Sequence, residues 1–88
     1  GPMMAKLLRR PKMTLQYHGN GRATLTGKQG SGNYDMDRLC ARLKRHGCVV
    51  IRTGSSFHRT ITLMPALMDT FQTGATYTVN ERGGIKPI

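Results

Sequence analysis

One stretch of the chain, NYDMDRLCARLKRHG (residues 33–47), carries the period of a helix, while most of the remaining ordered runs alternate. Met36, Leu39, Cys40 and Leu43 fall at i, i+3, i+4 and i+7 and form one apolar stripe. At about 100° per residue, Arg38, Arg42 and Arg45 gather on the opposite side. Asn33 or Asp35 can cap the start, and Asp37 suits the positive end of the helix dipole. Arg45 and His46 stand in the last turn, and Gly47 fits the left-handed position that stops a helix. Such a helix has a core face and an arginine face, and its core face needs a partner.

The flanking runs supply strands. MTLQYHGNGRATLTG (residues 13–27) reads as a β-hairpin, with Leu15 and Tyr17 alternating before GNG and Ala23 and Leu25 after it. Thr24 and Thr26 then point to the other face. CVVIRTGSSFHRTITLM (residues 48–64) reads as a second hairpin that turns at TGSS. Val49 and Ile51 share one face of its first strand, and Phe57, Ile61 and Leu63 share one face of its second. Thr60 and Thr62 lie on the far face. Pro65 opens a short helix, PALMDTFQT, that ends at Gly74; ATYTVN alternates again as a last strand, and ERGGIKPI reads as a flexible tail.

The expected fold is therefore a small α+β domain. Its antiparallel sheet, two hairpins plus the last strand, packs on one main helix, with a short second helix. The second face of the sheet is threonine-rich and either open or covered by that short helix. A chain of 88 residues has room for one domain. It is placed at residues 13–80, between a basic arm at 1–12 and the tail at 81–88. Gly1-Pro2 reads as a protease-cleavage scar, which puts the expected native start at Met3 or Met4.

Charge narrows the function. Fourteen Lys and Arg face four Asp and Glu, a net charge of +10. Such an excess repels itself and points to a polyanion partner, nucleic acid being the commonest. Cys40 and Cys48 are too few for a disulfide scaffold of a secreted domain, and no signal peptide or membrane span is visible in the sequence. The expectation is a cytoplasmic protein with reduced thiols, no cofactor and no membrane partner.

The glycine-rich run TGKQGSGNYDMD raises the question of a phosphate cradle. The Walker pattern ends in Gly-Lys-Ser/Thr, whereas Lys28 here precedes the last two glycines of the run. The glycine spacing does not match the dinucleotide fingerprint either, and Asp35 and Asp37 already occupy the positive end of the helix. The run reads as a flexible joint from which Lys28 can still reach a phosphate backbone.

The arginine face is the stronger signal. A solvated helix ordinarily mixes Glu with its Lys and Arg, yet Arg38, Arg42 and Arg45 have only Asp35 near them. The guanidinium fork matches phosphate geometry. Arg52 and Arg59 in the second hairpin, Lys28, and the N-terminal arm with Arg9 and Arg10 (flanked by Lys6 and Lys12) extend the expected nucleic-acid-binding set. Phe57 and Phe71 read as core, Tyr17 and Tyr77 as core or surface, and the aromatic motif of the RRM is absent from the sequence. Backbone contacts with RNA or DNA should therefore dominate, with low sequence specificity. Cys40, His46 and Cys48 lack the C-x-x-C spacing of a zinc site, and Cys40 falls on the apolar stripe, so no metal is expected.

Asp35, Asp37, Asp69 and Glu81 form no carboxylate pair in the sequence, so catalysis has few candidates. From Asp37 onward, however, the helix, KRHG, the strand run with Gly54, Ser55 and His58, and the close at Pro65 resemble the HicA toxin family, ribonucleases with a fold like the double-stranded-RNA-binding domain. The resemblance covers about residues 37–65; Ser56 and Phe57 are extra between Ser55 and His58, and the N-terminal hairpin has no counterpart. It implies that His58 is the acid/base group of a metal-independent RNA cleavage. A third reading is a small regulator or inhibitor, of the kind made by phages and other mobile elements, that binds an acidic surface of a partner protein. The strand edge after ATYTVN offers a route for pairing two chains into a homodimer.

Overall fold

The computed structural model of the protein describes residues 13–27, 34–80 and 82–88, with the side chain of Asp35 left out. In chain order the elements are β1 (Met13–Gly19), β2 (Arg22–Thr26), α1 (Tyr34–Arg45), β3 (Val49–Arg52), β4 (His58–Thr62), α2 (Pro65–Met68), β5 (Thr76–Val79) and β6 (Ile85–Pro87). This is an α+β fold with one main helix. Its six strands form one sheet in the order β3-β4-β2-β1-β5-β6, and every neighbouring pair is antiparallel. No described helix is long and apolar enough to cross a membrane.

The first hairpin turns at Asn20-Gly21, whose φ values of 55° and 80° are both left-handed. That is the pairing a two-residue hairpin turn of type I′ demands. Gly21 is needed for its left-handed backbone, whereas a Cβ there would meet only the flexible end of the Met68 side chain. Helix α1 stops as its sequence indicates. Gly47 has φ 95°, its N–H donates to the Lys44 carbonyl (3.0 Å), and the Cys48 N–H donates to the Leu43 carbonyl (3.0 Å). Those two bonds are the Schellman pattern.

Alternation decides the two faces of the sheet. Met13, Leu15 and Tyr17 of β1, Ala23 and Leu25 of β2, Ile61 of β4, and Tyr77 and Val79 of β5 are buried. They belong to one hydrophobic cluster with Met36, Leu39 and Cys40 of α1, Cys48, Leu63 and Phe71. Phe71 packs between Tyr17 and Tyr77 at centroid distances of 5.8 and 5.1 Å, tilted against the first and edge-to-face with the second. Both tyrosine hydroxyls accept backbone N–H groups, of Gly21 (2.9 Å) and of Gln72 (2.8 Å). The opposite face carries threonines in register: Thr24 opposite Thr60, and Thr14 between Thr26 and Thr78.

Four expectations need adjusting. The short second helix covers only Pro65–Met68, and the rest of the run to Gly74 is turn. Val49 and Ile51 do share a face, but it is the threonine face, where they are 54% and 53% exposed. Val50 instead pairs with buried Ile61. The run Val49-Val50-Ile51 is apolar throughout, so its alternation does not fix which parity turns inward. Phe57 lies outside β4, is half-buried and stands 4.4 Å from the His58 ring, not in the core cluster. Ile85–Pro87, within the expected tail, forms β6 and pairs with β5, so β5 is not an edge; the edges are β3 and β6. Three residues containing a proline are too short to show alternation.

Candidate functional site

Arg38, Ala41, Arg42 and Arg45 recur at i, i+3, i+4 and i+7 on α1 and line a depression of about 370 Å³, completed by Arg82. Among the described side chains, none of Arg38, Arg42 and Arg45 has an acidic partner, and no described acidic residue lines the depression. Asp37, whose side chain is described, is turned toward Arg59, with Oδ1 3.7 Å from its guanidinium.

Arg82 carries no signal of this role in the sequence; the turn from β5 to β6 puts it there. Asn80 Oδ1 accepts hydrogen bonds from the backbone N–H groups of Arg82 (2.9 Å) and Gly84 (2.8 Å). The Asn80 carbonyl also accepts the Gly83 N–H at 3.0 Å. Gly83 is left-handed (φ 85°), and a Cβ there would sit 3.4 Å from Arg42 Cδ. The turn is thus clamped by one asparagine and pressed onto the Arg42 stem. The N-x-x-G spacing marks the turn, since Asn side chains bond their own backbone in tight turns, but only the fold shows which helix face it meets.

The remaining expected contacts are placed apart from this cluster. Arg52 is exposed on β3, opposite Arg59 in the ladder. Arg59 is only 9% exposed, and its guanidinium donates to the carbonyls of Ser56 (2.7 Å) and His58 (2.8 Å) besides facing Asp37. Its charge is spent inside the molecule on holding the β3–β4 turn, so it offers little to an external phosphate. Lys28, Arg9 and Arg10, expected in the same set, lie outside the described residues.

His58 is half-buried at the start of β4, with Nδ1 2.8 Å from Ser55 Oγ. Cys40 and Cys48 are free and buried. Burial pushes the Cys40 thiol up, against a smaller downward pull from Arg59, so Cys40 stays protonated and unreactive near neutral pH. Among the described residues, no three His, Cys, Asp or Glu side chains come together in a way that would hold a metal ion. The ring-stacking surface of a single-strand binder is not built from Tyr17 and Tyr77, which are buried with Phe71.

Compared with known proteins, the chain matches no protein-family model, no curated protein and no solved structure.

Proposed function

We propose that this is a small non-enzymatic nucleic-acid-binding protein, acting inside the cell, that grips the phosphate backbone with low sequence specificity. In this reading α1 lies over the buried face of the sheet and holds its arginines outward. The observation that carries it is the gathering of Arg38, Arg42, Arg45 and Arg82 around one depression with no described acidic side chain on its lining. Four guanidinium groups held together repel one another, and polyanion phosphates relieve that repulsion while matching the fork geometry. The net charge of +10 adds long-range attraction.

Fluorescence anisotropy with labelled single-stranded RNA, duplex RNA and duplex DNA tests this. With about four phosphates neutralised, affinity for duplex DNA should fall roughly a hundredfold between about 50 and 200 mM salt. The triple variant R38A/R42A/R45A should weaken binding to all sequences alike and make the salt dependence shallower, by about one in the log–log slope for each arginine removed from a phosphate. Unchanged affinity in that variant removes the arginine depression from the account. RNA incubated with the protein should stay intact; metal-independent cleavage that His58→Ala abolishes would replace this reading with the ribonuclease one, in which Ser55 orients His58.

One observation favours a second reading, a regulator that binds an acidic partner protein. Edge strand β3 has Val49 and Ile51 more than half exposed and carries a single charge, Arg52 at its end, whereas edge strand β6 carries Lys86 and Pro87. A lightly guarded edge can accept a strand from another protein. A nuclease-resistant, stoichiometric complex lost on replacing Ile51 by Lys would support that reading.

A further inference from the structure

A second hollow, of about 290 Å³, lies between α1, α2 and the β5–β6 turn. Its walls include Leu39, Leu43, Leu63, Leu67, Phe71 and Ile85. Helix α2 is a single turn with no buried residue, so it brings only the partly buried Leu67 and Met68 against the core. A concave apolar wall with a few convergent polar groups is the general form of a small-molecule site.

The polar part of this wall is basic: Arg42, His46 and Arg82, with Thr70, and no described acidic residue. Arg42 Nε is buried without a hydrogen-bond partner among the described residues, so that nitrogen is closed to an outside ligand, and an anion in the hollow would meet the terminal guanidinium nitrogens instead. The same hollow therefore offers apolar surface beside the guanidinium groups of Arg42 and Arg82.

We propose that this hollow of about 290 Å³ binds a free amphipathic anion, a carboxylate on an unbranched alkyl chain of medium length. The tail lies against Leu43, Leu67 and Ile85, and the carboxylate meets the forks of Arg42 and Arg82. A nucleobase fits this wall less well, because its polar edge would find few partners among leucines. The chain's own residues 1–12 carry Lys6, Arg9, Arg10 and Lys12 and no acid, so charge disfavours them as the occupant. The proposal does not rest on nucleic-acid binding. Arg42 and Arg82 line both hollows, so an occupant here would compete with phosphate at the arginine depression.

The test is titration calorimetry with decanoate, decanol, acetate and anionic phospholipid vesicles, alongside methyl NMR of the leucines and isoleucines. The expected result is saturable one-to-one binding of decanoate below its micelle concentration. Decanol should bind about tenfold more weakly and acetate undetectably, because each lacks one of the two interactions. Methyl shifts should centre on Leu43, Leu67 and Ile85 and spare Val49 and Ile51. Arg82→Ala, at an exposed turn position, should weaken decanoate about tenfold without changing the binding of decanol. Equal binding of decanol and decanoate, shifts centred on Val49 and Ile51, or binding to vesicles without binding to free decanoate would each overturn the proposal. Absence of saturation with decanoate would overturn it too. These readouts need no nucleic acid, so their failure is distinct from failure of the phosphate-binding reading.

Discussion

The two faces of the sheet are made from the same strands by alternation, yet they do different work. On one face Leu15, Leu25 and Ile61 are at most 3% exposed and belong to the cluster that also holds Met36 and Leu39. On the other, Thr24 faces Thr60 across the ladder, with Val49 and Ile51 exposed at the rim. Burial of a large aliphatic side chain stabilises a fold by about 1.5–3 kcal/mol, while an exposed cross-strand pair contributes about 0.2–1 kcal/mol. The stability of this small chain should therefore sit almost wholly on one face, leaving the other free to vary.

The largest expected effect breaks the buried face directly. Leu25 is completely buried on β2, which runs between β1 and β4. Leu25→Ala should lower stability by about 2–5 kcal/mol in a urea titration, from lost transfer energy plus the cavity left behind. A loss under about 1 kcal/mol would mean that the core collapses around the gap and is less tightly packed than its burial indicates.

Next come two changes at the β1–β2 end of the same face. Gly21→Ala must hold a left-handed backbone and push the Met68 side chain aside. It should cost about 1–2 kcal/mol from the backbone alone. Tyr17→Phe removes one oxygen and leaves the buried Gly21 N–H without its acceptor. It should cost about 1–3 kcal/mol, the penalty of an unsatisfied buried donor, although the packing against Phe71 survives. If Tyr17→Phe proves neutral, water reaches the turn, and the buried face ends one residue earlier along β1 than its exposure suggests.

How much of this contrast was legible in the sequence depended on local signals. Leu15, Tyr17, Ala23, Leu25 and Ile61 alternate with polar neighbours, and Met36, Leu39, Cys40 and Leu43 keep helical spacing, so their inward faces could be read directly. The capping pattern at Gly47 could be read because one residue type dominates that backbone position. Val49 to Ile51 could not, because three apolar residues in a row carry no parity. Within the candidate site, Arg38, Arg42 and Arg45 followed from helix geometry alone. Arg82 did not, because its place depends on a long-range approach of the β5–β6 turn to α1. Arg59 also lay outside the reach of periodicity. In β4 it takes a core-facing position, which an arginine fills by bonding carbonyls of its own turn.

The smallest expected effect tests the open face. Val49→Thr with Ile51→Thr converts the apolar rim to the threonine character of its neighbours. Both positions are more than half exposed on an edge strand, so the double variant should change stability by no more than about 0.5 kcal/mol. The outcome sharpens the contrast through its dependence on protein concentration. If the lone chain is the folded unit, Tm is independent of concentration for both proteins, and the substitution is silent. If instead the native protein's Tm rises with concentration and the variant's does not, mass action identifies a second chain on that edge. The apolar rim would then be half of an interface whose other half is the same strand of a second copy, and only the threonines of the inner strands would remain a free surface.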